Sequence, residues 1–476
     1  MYSVITSPHH QKMLLLIAAF AVFMDGLDGS IVNVVLPVMA AEFGIDISGS
    51  SWIVIAYLLF MAGFILAFGK VADNGKIRGV FSIGFGIFAL GSLMCALSPS
   101  LECIVAARAL QGLGASMIAA AAPLLVTRFL PKERRGFGMG VIATTGGIAL
   151  TFGPPLGGFI SAYLSWHWIF LINVPIGIAA ILLAKLAIPS PNGKPVNDHF
   201  DKTGTALMFA AIASMIIFFE RGPVLGWTNA TILICGAVFA FSFAGFCIHS
   251  LRSPYPLLNI RIFRHWKFTS VTISYLLTCA VFSGVMYMVP YYMQTAVGLS
   301  TVTSGMLLMI ASILTALVGI PIGAWSDKIG CRTPCIMAAL FRISFCLIFL
   351  LIIPEWGAAA IIPGLICMGL SFGISGGPAT TRIVQFSPKG EDGMGTSVMI
   401  TSDFLGGVIG VAAYAVVFSL AVPGSVGVSV SDLSSAALTS GFHATAAFGL
   451  ILGIITLILS SVVPNLIVKK SGLADP

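Results

Sequence analysis

Charge is what this sequence has least of. Only 9 % of its 476 residues are Asp, Glu, Lys or Arg, against ~25 % in an average soluble protein. So few charges cannot cover a water-soluble surface, which excludes a string of soluble domains of ~150 residues each. Acids are scarcer than bases, with 17 Asp and Glu against 24 Lys and Arg. A net charge of +7 would point to nucleic acid if the bases formed patches. They sit instead in short loops between apolar runs, which is the pattern of membrane orientation and not of a nucleic-acid surface. No Walker A loop is present, so ATP does not drive this protein. No Ser/His/Asp or metal-ligand constellation occurs, so neither an enzyme nor a metal site is expected. The 9 Cys are scattered through apolar runs and imply no disulfide framework. Cys331 and Cys335 lack the second ligand pair that a structural zinc needs.

What is abundant is apolar. Hydrophobic residues make up 58 % and Gly contributes 52 positions, with a mean hydropathy of +1.03. Gly suits close helix contacts in lipid. A helix needs ~20 apolar residues to cross ~30 Å of hydrocarbon. On that rule the sequence predicts spans near 13–39, 50–69, 79–98, 101–126, 136–161, 165–187, 203–220, 229–250, 267–293, 301–325, 333–353, 357–381, 393–420 and 440–466. The first is too long for a signal-peptide core, and no A-x-A-like site follows it, so it is expected to remain as a span. Fourteen is even, so both termini lie on one side. On that side fall 21 Lys and Arg, from Lys12 to Lys470; only Arg221 falls on the other, and Arg108 and Arg342 fall inside spans. This asymmetry places both termini in the cytoplasm of a multi-pass protein of the plasma or inner membrane.

Two segments resemble each other 254 residues apart: Gly69-Lys-Val-Ala-Asp73 after span 2 and Gly323-Ala-Trp-Ser-Asp327 after span 10. With spans 7 and 8 set aside, each half has six helices and each motif follows the second of them. The expected architecture is therefore an all-α integral membrane protein of two homologous six-helix bundles (1–190 and 256–476), with an inserted helix pair and its linkers at 191–255. Parallel repeats of this kind place a substrate site between the halves near the midplane.

Several motifs then carry a family resemblance. Gly69 to Arg78, with Asp73, resembles the cytoplasmic loop motif G-x-L-a-D-r-x-G-r-k of major facilitator superfamily transporters. It departs in having Lys76 at the second Gly position and Gly75 one residue early. The second copy, Gly323 to Arg332 with Asp327 and Gly330, fits better. Arg108-Ala-Leu-Gln-Gly112-Leu-Gly114 resembles the R-x-x-q-G-x-g motif of helix 4. Gly147 and Gly153-Pro154-Pro155-Leu-Gly157-Gly158 resemble the antiporter motif of helix 5. Leu27-Asp28 through Asn33 to Pro37, and Trp166-His167 through Asn173 to Pro175, resemble signatures of the fourteen-helix drug:proton antiporter branch, with His167 where Arg is usual. The match is densest over helices 1 to 6. The resemblance implies the major facilitator fold and alternating access. It assigns Asp73, Arg78, Asp327 and Arg332 to a gate that breaks and re-forms as the halves rock. It assigns Asp28 to proton coupling and Arg108 to proton relay beside helix 1.

Ionisable groups inside spans are functional candidates by default. Asp25 and Asp28 are three apart and share one helix face, where two carboxylates cannot both ionise cheaply, so one is expected to hold a proton. The bland alternative has Asp25 facing water and only Asp28 buried. Asp403, mid-span and with no base nearby in sequence, is a further proton-coupling candidate, expected to be buried and protonated. Its alternative is a permanently neutral helix–helix hydrogen bond. Arg108 must find a partner, by relay or by structural bonds to carbonyls. Arg342 is expected to snorkel. Glu220, beside Arg221, is expected at the outer interface, and spans 7 and 8 are expected to be peripheral.

The cargo site is expected near Asn33 and along helix 9, at Phe282, Tyr287, Tyr291 and Gln294. Aromatic side chains suit greasy or cationic cargo; Tyr291 and Tyr292 read equally as an interfacial belt. The function expected is export of amphipathic compounds in exchange for protons, with no cofactor beyond the proton gradient. The expected partners are the cargo, protons and lipid, and the expected state is a monomer. The alternatives are a proton-coupled carrier of one metabolite or peptide and a non-transporting membrane sensor.

Overall fold

The computed structural model describes residues 7–189, 200–387 and 392–465. The expected boundary at 190/191 and the bases Lys194, Lys389, Lys469 and Lys470 lie outside the described residues. The described chain is helical almost throughout: α1 (Pro8–Phe43), α2 (Ile47–Val71), α3 (Ile77–Ala96), α4 (Leu101–Phe129), α5 (Lys132–Tyr163), α6 (His167–Leu171), α7 (Asn173–Ala187), α8 (Lys202–Leu225), α9 (Ala230–Arg252), α10 (Trp266–Tyr291), α11 (Thr301–Ile329), α12 (Arg332–Leu351), α13 (Gly357–Gln385), α14 (Asp392–Ala421) and α15 (Ser435–Val462). In lipid every backbone group must be satisfied within its own segment, so the apolar runs become helices. Polar side chains placed between the runs start them. Asp46 caps α2 through Gly49 N at 2.7 Å, Asp201 caps α8 through Gly204 N at 2.7 Å, and Ser300 caps α11 through Thr303 N at 3.1 Å. Each cap satisfies a donor that the helix would leave bare.

Among the described residues, thirteen helical stretches are long and apolar enough to cross a bilayer. One of them, Ile47–Ala96, runs for 50 residues, about 75 Å at 1.5 Å per residue, and cannot be one crossing. It reverses at Asn74 and Gly75, where Gly75 has φ 92°. α2 and α3 are thus separate passes, α6 and α7 together form one, and the described chain crosses fourteen times. Gly75 also accounts for the irregular first loop motif. The residue that needs positive φ stands one place earlier than in the second copy, where Gly330 has φ 85°.

The packing repeats. α1 lies on α5, α2 on α4, and α3 on α4 and α7; in the second half α10 lies on α14, α11 on α13, and α12 on α13 and α15. The halves meet along two equivalent seams, α5 with α11 and α2 with α14. Glycine sets how closely the seam closes. A methyl group on Gly158 of α5 would collide with the Thr301 carbonyl, and one on Gly305 of α11 with the Pro154 carbonyl. This contact is confined to one end of the seam. α11 buries Ser304, Gly305, Leu308 and Ala311 in its first three turns and only Ser326 beyond them.

Hydrogen bonds between the halves cluster at the same end, opposite the basic loops. Tyr291 Oη donates to Ser50 Oγ at 2.6 Å, and Tyr287 bonds Ser50 and the Ile47 carbonyl. Gln294 Nε2 donates to Val34 O at 2.7 Å and Gly427 N to Asp46 Oδ2 at 2.9 Å. At the basic face Arg128 bonds Asp73, Arg134 bonds Gln11 and Arg332 bonds Ser461 O, each within its own half. The halves are closed away from the basic loops and parted toward them.

The inserted pair departs from expectation. α9 is largely exposed, as a lipid-facing helix should be, but α8 packs on both α2 and α14, across a seam. Phe209 of α8 fills the space beside Gly63 of α2. Glu220 is 1 % exposed, not interfacial. Its neighbour in sequence, Arg221, lies over the Trp52 ring, and the hydrogen bonds to Glu220 come from α2.

Candidate functional site: a cavity between the halves

A cavity of about 350 Å³ lies where the two halves face each other. Its wall takes Asp25, Asn33 and Tyr57 from the first half and Phe282, Phe372 and Asp403 from the second. Phe282 and Phe372, from α10 and α13, stack with ring centroids 4.1 Å apart. Gly147 of α5 also reaches this wall, while Gly153 and Gly157 of the same helix press on Ser30 and Ile31 of α1. A methyl group on Gly112 of α4 would strike the Tyr57 carbonyl, so this glycine lets α4 bring Arg108 up to the wall.

Behind the wall is a closed polar network. Arg108 Nη1 donates to Asp28 Oδ2 at 2.6 Å and to Gln111 Oε1 at 2.6 Å, and Arg108 Nε donates to Ile53 O at 3.0 Å. Gln111 Nε2 donates to Asp28 Oδ1 at 2.8 Å and to Ser92 Oγ at 2.8 Å. Asn173 Nδ2 reaches Asp28 Oδ1 at 3.1 Å. The Asp28 and Arg108 side chains are 0 % and 1 % exposed. A buried pair of opposite charge holds only when its remaining lone pairs and protons are met. Here α1, α2, α3, α4 and α7 each contribute a partner.

The two helix 1 acids, which share one helix face, have different partners. Asp28 is bound to Arg108, and Asp25 turns to the cavity, where Tyr57 Oη donates to its Oδ1 at 2.9 Å. The Tyr57 ring lies over the Arg108 guanidinium, 4.1 Å from its centroid, so one residue touches both acids' surroundings. Asp403 faces the cavity and is exposed to it, not buried as expected, because the opening between the halves reaches its side of α14, where Gly407, one turn on, also lines the wall.

Other expectations are placed elsewhere. Asn33 and Phe282 line the cavity; Tyr287, Tyr291 and Gln294 do not, because their polar ends hold α1 and α2 at the closed end. Tyr291 and Tyr292 are buried and form no interfacial belt. Arg342 does not snorkel. It is 3 % exposed and donates to Thr456 Oγ1 at 2.9 Å. Asp73 accepts from Arg128 at 2.5 Å, with both side chains about half exposed. Gly69 meets Ala120, and Gly323 faces open space. Arg78 ends its loop at the start of α3, and Asp327, at the end of α11, is exposed. Sequence reasoning missed Tyr57, Ser92 and Phe372. A lone Tyr in the apolar run of α2 was the available signal, and Ser92 and Phe372 carried none.

The comparisons with known proteins agree with this geometry. The model of the Major Facilitator Superfamily matches residues 18–411. The riboflavin transporter RibZ of Clostridioides difficile is 29 % identical over 413 residues, covering 86 % of this chain and 88 % of that one. The multidrug resistance protein Stp of Mycobacterium tuberculosis is 29 % identical over 406 residues, covering 84 % and 75 %. Among solved structures, a bacterial homolog of the human lysosomal transporter Spinster, inward-facing and unoccupied, superposes with a TM-score of 0.67 at 16 % identity, covering 95 % and 98 %. With its repeated bundles, its cavity at the seam and a family match over most of its length, the chain belongs to the major facilitator superfamily, a family of multi-pass membrane transporters.

Proposed function

We propose that this transporter exports amphipathic cations in exchange for protons, by alternating access, as a member of the fourteen-helix antiporter branch. The observation that carries this reading is the pairing of Asp25 and Asp403, one from each half, across a cavity that also presents the Phe282–Phe372 stack. A carboxylate binds a cation and releases it when a proton takes its place, so cargo and proton compete for the same oxygens. The aromatic faces hold the apolar body of the cargo and favour its positive charge. Asp25 and Asp403 are the carriers in this reading. Asp28 is sealed with Arg108 and acts through Tyr57, which contacts both Asp25 and Arg108.

The remaining parts follow the same reading. The basic loops face the cytoplasm, as do both termini, and the plasma membrane is the site of action. The closed end is then the outer end, and the structure is the inward-facing member of the cycle. The protein works as a monomer without cofactor, drawing on the proton gradient, and its partners are cargo, protons and lipid. The bundle boundaries stay at 190 and 256. A second reading, a carrier of one planar metabolite, is favoured by the extent of similarity to the riboflavin transporter.

The test is transport in proteoliposomes under an imposed pH gradient, with cationic dyes and riboflavin as cargoes. Wild type should accumulate the dyes with the gradient. Asp25→Asn and Asp403→Asn should each lose the gradient-driven component while remaining inserted. Riboflavin transport without dye transport would replace the first reading by the second, and dye transport indifferent to the gradient would remove the proton from the mechanism.

A further inference from the structure

Glu220 has no place in the cavity, yet it is among the most enclosed acids in the molecule. It sits near the outer end of α8, 1 % exposed. Its Oε1 accepts from Ser48 Oγ at 3.0 Å and from Ser51 Oγ at 2.7 Å, both on the first turn of α2. Its Oε2 is buried and has no hydrogen-bond partner among the described residues. We propose that Glu220 is a proton-binding site outside the central cavity, which latches the inserted helix to the outer closure.

The first step of the argument is position. Ser48 and Ser51 flank Ser50, whose hydroxyl holds Tyr287 and Tyr291 of the second half. The carboxyl group therefore fastens the turn of α2 on which the closure rests. α8 also packs on α14 of the second half, so opening the outer end must slide α8 along one of its two neighbours. Glu220 bonds only α2 among the described residues, so α8 is tied to the first half and slips past α14.

The second step is charge. An ionised carboxylate in this site would leave Oε2 bare in a dry environment, which costs far more than one unmatched hydroxyl. The closed site is thus reached with the proton aboard. When the outer end opens, the O–H bond breaks, the proton passes to outer water, and the carboxylate is left hydrated. Closure takes up one proton and is favoured as pH falls; opening is favoured as pH rises.

The charged and titratable neighbours do not replace that proton. Arg221, the next residue on α8, lies over the Trp52 ring at 5.5 Å. Asp46 of α2 is occupied by Gly49 N and Gly427 N. Tyr287 and Tyr291 of α10 give their hydroxyls to Ser50 and Ile47 O, not to Glu220. Among the membrane-embedded residues of α14, Asp403 lines the cavity and Tyr414 packs on Phe448. At this end of α9 the titratable group is Cys235.

The experiment reads the outer end directly and without cargo, so it stands apart from the exchange reading. Spin labels replace Leu97 and Trp356, exposed in outer loops of the two halves, in a background freed of reactive cysteines. Their distance is followed against pH in full-length protein in nanodiscs. The cavity is neutralised by Asp25→Asn with Asp403→Asn, which removes the proton sites of the exchange reading. The cavity-neutral protein should still open as pH rises. Adding Glu220→Gln, which mimics the protonated acid, should leave it closed at every pH. A cavity-neutral protein that is flat with pH, or a pH profile unchanged by Glu220→Gln, overturns the proposal. Where the Gln variant does not insert, Ser48→Ala with Ser51→Ala serves instead. Losing both donors should weaken closure and move the opening midpoint to lower pH, and an unmoved midpoint overturns the proposal equally.

Discussion

The two halves share a backbone plan but divide the charge unequally. In the first half Arg128 pairs with Asp73 across the basic loops. The residue 254 positions later, Arg382, ignores Asp327. It is buried and donates to the carbonyl of Val463 at 3.1 Å, at the end of α15. Arg332 does the same to Ser461. Guanidinium groups at a helix C-terminus satisfy carbonyls that have no partner further along the helix. The contrast is sharper in the interior. The first half buries a complete ion pair, Arg108 with Asp28, while Arg342 of the second half donates to a threonine. A repeat fixes where helices lie, not which partner a charge takes. The first half keeps a sealed charge pair beside the cavity, and the second turns Arg332 and Arg382 to the end of α15.

The largest test of this contrast is stability. Replacing Arg108 by Met strands Asp28 in a dry site, which costs ~3–5 kcal/mol. Arg342→Met removes a buried charge along with its bond to Thr456, so the relief of desolvation offsets much of the loss and the net cost is expected below ~1.5 kcal/mol. Thermal unfolding in detergent compares them. Equal losses would mean that the halves hold their buried arginines alike.

The seam gives the next effect. Gly158→Leu and Gly305→Leu force side chains into opposing carbonyls and should destabilise the closed end by ~1–3 kcal/mol. Gly323→Leu, on the parted end of the same α11, meets open space and should be neutral. Crosslinking between α5 and α11 at the closed end of the seam would report it. A large effect at Gly323 would show that the basic end is also closed.

The smallest effect concerns the loops. Asp73→Asn breaks an exposed ion pair and should cost ~0.2–1 kcal/mol, shrinking further in salt. Asp327→Asn is expected to be silent by the same measurement. A loss at Asp327 equal to that at Asp73 would restore the symmetry that the structure breaks.

Much of this could be read from composition and spacing. Fourteen apolar runs, the bias of Lys and Arg and the motif repeated at 254 residues set the helix count and the two-bundle plan, because lipid leaves the backbone of an apolar run no choice but a helix. The identity of the membrane acids was equally plain, since so few exist. What each acid faces was decided only by packing. Asp25 and Asp28 lie three residues apart on one helix, yet Arg108, Gln111 and Asn173 converge on one of them from two other helices and leave the other to the cavity. Glu220 sits beside an arginine in sequence and bonds two serines some 170 residues earlier. Span patterns depend on hydropathy, which is local. Partners of buried charges depend on which helices cross at that depth, and a linear pattern does not carry that information.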